Sequence, residues 1–433
     1  MTVGAPSRID VDQDRPTLAR GIVSWALTAA FCTSFFAYQP AEVSASILEL
    51  SLCPLAAAAV LVWTRAVGRG EFLAGITPME LPRLVAVPIV PIVVSARSGD
   101  TYGLLYGLVV ICCVILARVL WKEMALAEVY AAAVRSAWFW VGALCFTGSE
   151  PILSSLQTGV RLDISGFHPN TIGFTLAGFA PFLLLTITRR APIRSLISAV
   201  TFVVAVSMIV LASSRGSIVA AFVGLTVAGA LSLAWSCKGR ATRTYLLIMC
   251  GTVLILVVLA GIGAGTLYNA VDWTKDVLAW DDPYRGMDTG VSGRFEIWGT
   301  AVGLLRNGAW LTGQGYRTGM KLVGAEIDNG FLTVWFEMGI FGLMVVGMRY
   351  ARVWMSAIRC FWGASRFNAE AICLVCFMTI FLVNNVFARY LFGIGNPISV
   401  LAILLYAGPA EILTQRVRTS DIQPVLTPAL RAV

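Results

Sequence analysis

Two arginines stand at the starts of apolar segments, where a cation is unfavourable unless an anion meets it. Arg215 opens RGSIVAAF directly after Ser213 and Ser214. A positive charge there opposes the helix macrodipole. First-turn N–H groups, the hydroxyls of Ser213, Ser214 and Ser217, and a guanidinium together make an anion site. A snorkelling arginine, or a structural pair with a loop carboxylate, explains the same pattern. Arg294 in SGRFEIW poses the same choice. Asp328 and Asn329 open a later segment, DNGFLTVWFEMGIFG. Both are N-cap types, and Asp328 is also a carboxylate level with Arg215.

His168, the one histidine of the chain, stands in HPN with Asn170 two residues on. Pro169 suits a first helical position, where its missing N–H costs nothing, so capping accounts for His168. Proton transfer from a substrate hydroxyl is the chemical alternative. Charge within apolar segments is usually functional or paired. That makes Arg389, between the last two segments, a candidate ligand contact, and Arg317 in the preceding polar connection joins it. Arg135 lies inside an apolar segment, with Glu49 and Glu337 the only acids in comparable segments to oppose it.

These residues need elements to hold them, and composition says which. Of 433 residues 58% are hydrophobic and 13% charged, about half the charge of a water-soluble fold. That excludes a secreted disulfide scaffold, a disordered chain and a nucleic-acid binder. Spanning helices need about 20 apolar residues each. About twelve segments qualify: 20–38, 45–64, 82–96, 101–120, 126–147, 168–187, 195–212, 215–236, 244–268, 329–350, 367–388 and 390–408. With both ends in the cytoplasm, nearly all Lys and Arg of the short connections fall inside. Only Arg97, Arg161, Arg215 and Arg389 fall outside. The positive-inside bias therefore supports an even number of spans, and the net charge of +8 is mostly topology.

The chain then divides into a cytoplasmic tail over 1–19, spans one to nine over 20–268, a periplasmic loop over 269–328, spans ten to twelve over 329–408 and a second tail over 409–433. The leader before the first span is acidic as well as basic, unlike a signal peptide. In the loop, GRFEIWGTAVGLLR spaces Phe295, Trp298, Val302 and Leu305 as an amphipathic helix. It suits the bilayer surface, and equally a lid over the helices. The ten cysteines lie in or beside apolar segments, so Cys373 and Cys376 read as small packing residues rather than a redox pair. One histidine and no acidic cluster at ligand spacing argue against a metal site.

HPN at 168–170, SSRGS at 213–217, SGRFEIW followed by GQGY over 292–316, and DNGFLTVWFEMGIFG over 328–342 resemble the O-antigen ligase and Wzy polymerase superfamily of bacterial envelope glycosyltransferases. The resemblance covers roughly residues 150–345. It implies an all-α, GT-C-like polytopic fold in the inner membrane. It further implies an undecaprenyl-diphosphate-linked oligosaccharide as donor, a second as acceptor, and transfer at the periplasmic face with no cofactor or metal. Arg215 and Arg294 would hold the donor diphosphate, with Ser214, His168, Asn170, Asn329, Arg317 and Arg389 as further substrate contacts. The family's ligases usually carry a His–Asn pair where this chain has Asp328 and Asn329. Asp328 would then be the base, a weak one unless desolvated.

That departure favours a Wzy-type exopolysaccharide polymerase, similar to those of xanthan-like pathways, over a ligase. A copolymerase and a flippase are implied partners, with membrane lipid around them and no nucleic acid. A flippase or transporter is the rival class. It would show repeats and midplane polar residues, but 1–210 and 211–433 share no repeat and the charges gather at one boundary.

Overall fold

The computed structural model describes residues 18–35, 80–121, 126–158, 161–164, 167–188, 192–236, 294–363, 369–392 and 396–408. The expected spans 45–64 and 244–268, residues 269–293 of the loop, Glu49 and most of both tails lie outside the described residues.

The described elements are helical: α1 (Leu18–Thr33), α2 (Glu80–Arg97), α3 (Thr101–Leu120), α4 (Leu126–Thr147), α5 (Ser149–Thr158), α6 (Pro169–Ile187), α7 (Pro192–Leu211), α8 (Arg215–Ser236), α9 (Arg294–Leu304), α10 (Gly319–Val323), α11 (Gly330–Gly363), α12 (Ala369–Asn384) and α13 (Pro397–Ala407). Six of them, α3, α4, α6, α7, α8 and α11, are long and apolar enough to cross a bilayer. Shorter apolar helices lie in α1, α2, α12 and α13. The protein is an all-α polytopic membrane protein.

The helices sort by how much of their circumference is buried. Every residue of α13 is buried, as is most of α12, and 83% of the α6 window is. A helix apolar all round belongs at a centre. In α7 and α8 the buried shares fall to 39% and 33%, and Leu196, Val200, Val219 and Phe222 face outward. In a membrane those faces meet lipid, so small residues decide which helices touch. A Cβ at Gly224 of α8 would press on Ile380 and come within 3.1 Å of the Cys376 carbonyl of α12. Cys376 at this seam and Cys373 one turn before it are buried, in the packing role their spacing suggests.

Among the described residues Arg135 is held by α1. Its Nε donates to Thr28 Oγ1 (3.0 Å), its Nη2 to Ser24 Oγ (2.6 Å), and the guanidinium lies 4.3 Å from the centre of the Trp25 ring. Glu337, one of its two conceivable acidic partners, is engaged elsewhere. It accepts a hydrogen bond from the backbone N–H of Arg317.

Candidate active site

One end of the bundle gathers the amino ends of α3, α6, α8, α11 and α13 with the carboxyl end of α12. His168 caps α6, its Nδ1 accepting from the Asn170 N–H at 3.2 Å, and Pro169 follows at the first helical position. Just upstream, Arg161 donates from Nε to the Ala212 carbonyl (2.9 Å) and from Nη2 to Asn170 Oδ1 (3.4 Å). The HPN segment is thereby tied to the turn that precedes Arg215.

That turn is tight. Ser213 has φ 49, a left-handed value uncommon for a side chain of this kind. Ser214 is buried and donates to Ser217 Oγ (2.8 Å), which also receives Asn384 Nδ2 (3.2 Å). A Cβ at Gly173 of α6 would lie 2.5 Å from Ser214 Cβ, so the glycine is what lets the two segments meet. Arg215 occupies the first position of α8 and is half-buried. Its neighbour Gly216 backs directly onto Phe387.

The DNG segment is fixed from the same helix end. Asn329 Oδ1 accepts from the Leu332 N–H (2.9 Å), the N-cap geometry its type suggests. The Gly330 N–H donates to the Asn385 carbonyl (2.7 Å), while Asn385 Oδ1 accepts from Tyr390 N–H (2.8 Å). Adjacent asparagines where α12 ends therefore hold SSRGS through the Asn384 side chain and DNG through the Asn385 backbone carbonyl. Tyr390 completes the wall: it stacks on Phe174 with centroids 4.2 Å apart, and its hydroxyl meets Thr171 Oγ1 at 2.9 Å. Burial pushes the Tyr390 phenol above its ordinary pKa, so it stays neutral.

The GQGY segment is built into a break in α11. Gly339 has φ 72 and ψ 178, a conformation essentially restricted to glycine. Carbonyls on the amino side of the break lose their helical partners and accept from the loop instead. Gln314 N–H donates to Phe336 O (2.7 Å), Gly315 N–H to Glu337 O (3.1 Å), and Ile340 N–H returns a bond to Trp310 O (2.9 Å). A Cβ on Gly339 would collide with the Leu311 carbonyl, and one on Gly313 would lie 2.5 Å from Glu337 backbone atoms. On its other side the loop lies against α2 and α3. Ser95 Oγ accepts from Tyr316 N–H (3.2 Å), and Gly103 and Gly107 leave room for Tyr316.

These supports surround a cavity of about 490 Å³ lined by His168, Asn170, Asp328, Arg317 and Arg389, with Tyr106, Phe387 and Tyr390 among its other walls. A smaller one of about 200 Å³, lined by Tyr102, Thr333 and Glu337 among others, shares the wall formed by Arg317, Glu326 and Arg389. Each cation has a counter-charge or ring. Arg294 Nη2 lies 3.6 Å from Asp328 Oδ2, and Arg389 pairs with Glu326. Arg317 sits 5.0 Å from the Tyr106 ring centre. Burial opposes the Arg317 charge, but Tyr106, Glu337 and Tyr102 outweigh it and hold the guanidinium's pKa above its ordinary value.

Of the residues singled out in the sequence, five therefore line one cavity and Arg294 reaches it through Asp328. Ser214 and Asn329 are spent on local hydrogen bonds, and Arg215 is not among the described lining residues. The loop helix α9 turns Ala301 inward, and Leu305 just after it likewise, to meet Ile327 and Phe336, and Trp298 packs against them, so much of its apolar side serves as a lid. Phe295 remains 57% exposed. Sequence reasoning missed Asn384, Asn385, Tyr390, Tyr106 and Glu326. Two adjacent amides closing an apolar run, in VNNVFARY, were the available signal. Among the described residues no group of His, Cys, Asp and Glu could hold a metal ion.

A polytopic helical membrane protein with a polar, arginine-lined cavity at one end of its bundle is the class that fold and site define. Residues 200–347 match the family model Wzy_C, described as O-antigen ligase. The match spans about a third of the chain and makes that segment similar to the O-antigen ligase family. The matched residues run from α7 into α11 and contain Arg215, Arg294, Arg317 and Asp328. No curated protein matches the chain.

Proposed function

We propose that this protein is a polysaccharide polymerase of the bacterial inner membrane. It joins undecaprenyl-diphosphate-linked oligosaccharide repeat units at the periplasmic face, as exopolysaccharide assembly of the xanthan-like kind requires. The observation that carries the reading is the convergence of Arg317, Arg389 and the Arg294–Asp328 pair on one cavity. Glycosyl transfer from such a donor expels an anionic diphosphate, and fixed guanidiniums stabilise that charge as it develops. Before the donor enters, Asp328 and Glu326 hold Arg294 and Arg389 in place.

The donor diphosphate then takes over Arg294, which releases Asp328. The freed carboxylate accepts the acceptor hydroxyl proton while the acceptor oxygen bonds to the anomeric carbon and the bond from that carbon to the diphosphate oxygen breaks. The lipid diphosphate leaves with the bonding pair. Arg215 belongs to the reading through its charge and its place in the matched segment. His168 and Asn170 offer polar contacts to the sugars. A flippase would supply the units and a copolymerase would set chain length.

Lipid-linked saccharides from a strain lacking the gene provide the test, by mass spectrometry. Single repeat units accumulating at the periplasmic face, with polymer absent, support polymerisation. Full-length polymer left on the lipid, never passed to a final acceptor, supports instead the ligase that the family description names. Units trapped at the cytoplasmic face would make the protein a flippase and remove the basis for the residue roles.

A further inference from the structure

We infer that Glu337 is a positioning residue that fixes Arg317 in the wall between the two cavities, and that the break in α11 at Gly339 exists to make this possible. The inference rests on the reading of the arginine-lined cavity as a diphosphate site. Four observations carry it. Arg317 has φ 56, a left-handed backbone that a non-glycine residue adopts only when its surroundings impose it. Its N–H donates to Glu337 Oε1 at 2.9 Å, so a buried carboxylate holds the strained peptide directly. Gln314 and Gly315, three and two residues before it, are stitched to the carbonyls of Phe336 and Glu337, which are available to the loop because the helix breaks two residues later. Finally, Arg317 lines both cavities, with its guanidinium over Tyr106.

Glu337 thus holds Arg317 by two handles, its own carbonyl on the Gly315 N–H and its side chain on the Arg317 N–H. The role needs no contact between Glu337 and substrate, which separates it from a proton acceptor.

The test uses full-length protein in nanodiscs, farnesyl diphosphate as a short polyprenyl diphosphate probe, and polymer formation from the natural donor. Arg317→Ala is expected to weaken probe binding about tenfold or more, the scale of one charge-assisted contact. Glu337→Ala should reproduce that loss. Glu337→Gln, whose amide oxygen still accepts from the Arg317 N–H, should stay within about threefold of wild type. The double variant Glu337→Ala/Arg317→Ala should bind no worse than Arg317→Ala alone, because one residue acts through the other. If Glu337→Ala does not yield monodisperse protein, Glu337→Leu carries the same expectation. In turnover, the loss should fall on KM for the donor, with Gln rescuing it. Wild-type binding by Glu337→Ala, or losses that add in the double variant, would overturn the inference while leaving the diphosphate site standing. Wild-type binding by Arg317→Ala would instead remove the diphosphate reading of Arg317, and the inference with it.

Discussion

Replacing Gly339 by alanine tests whether the broken helix holds the site together. Two responses are open to the variant. If the break persists, the new side chain forces a backbone conformation costing on the order of 1–3 kcal/mol for a residue with a Cβ, and that Cβ would strike the Leu311 carbonyl. If α11 straightens, Phe336 and Glu337 recover helical donors, and the N–H groups of Gln314 and Gly315 lose their acceptors. Stranding two such groups costs about 2–4 kcal/mol, while alanine in a helix returns about 1 kcal/mol. Either route leaves the variant less stable by about 1–3 kcal/mol and moves Arg317 off its wall. Fluorescence-detected size-exclusion melting should then show a midpoint lower by several degrees, and polymer formation in vesicles should fall far more steeply than the amount of folded protein. Gly303→Ala is the control, since a Cβ there meets nothing within 4 Å. Melting and polymer yield both at wild-type level for Gly339→Ala would refute the reasoning.

Other perturbations divide the machinery. Asp328→Asn should abolish polymer in the vesicle assay while Asp328→Glu keeps part of it; equal activity of Asp328→Asn and wild type would leave the residue as a mere partner of Arg294. Arg389→Ala should lower donor affinity about tenfold, the scale of a lost charge-assisted contact, and titration with farnesyl diphosphate reads it directly. Asn385→Leu removes the acceptor for Tyr390 N–H and the donor to Phe381 O. It should cost about 2–3 kcal/mol by thermal melting and reduce polymer formation with it. Gly173→Ala forces α6 away from Ser214 and should likewise depress both readouts.

Much of this was legible in the sequence because hydropathy and caps are local. The apolar runs over 101–120, 126–147 and 168–187 reappear within a residue or so as α3, α4 and α6. Pro169 after His168 marks a helix start that the structure caps through that very side chain, whereas the last helix begins at Pro397 rather than at 390. The site was legible in part for the same reason. Asp328, Arg389, His168 and Asn170 stood out as polar groups at apolar boundaries and Arg317 as a cation of the polar connection beside them, and all line one cavity.

What could not be read is pairing over distance. Asn384 to Ser217, Asn385 to Gly330 and Tyr390 to Thr171 each join segments far apart in the chain, and no periodicity records them. The break at Gly339 was equally hidden. A glycine inside an apolar run looks like ordinary membrane-helix composition, and only the returning loop makes its positive φ necessary. Glu337 was visible as an acid in such a run, but its partner proved to be a peptide N–H rather than Arg135.

The cavity wall is stitched from both sides of the matched segment, and this bears on how such proteins can be re-engineered. Residues 200–347 bring Arg294, Arg317 and Asp328, but His168 and Asn170 come before them and Asn384, Asn385, Arg389 and Tyr390 after. A chimera that exchanged only the matched segment for another protein's would graft foreign cations onto native walls, with Asn384 and the Asn385 carbonyl still dictating where the grafted turns must sit. Transplanting the cavity between such proteins therefore calls for cutting outside α6 and beyond Asn396, so that its charged groups and their frame travel as one piece.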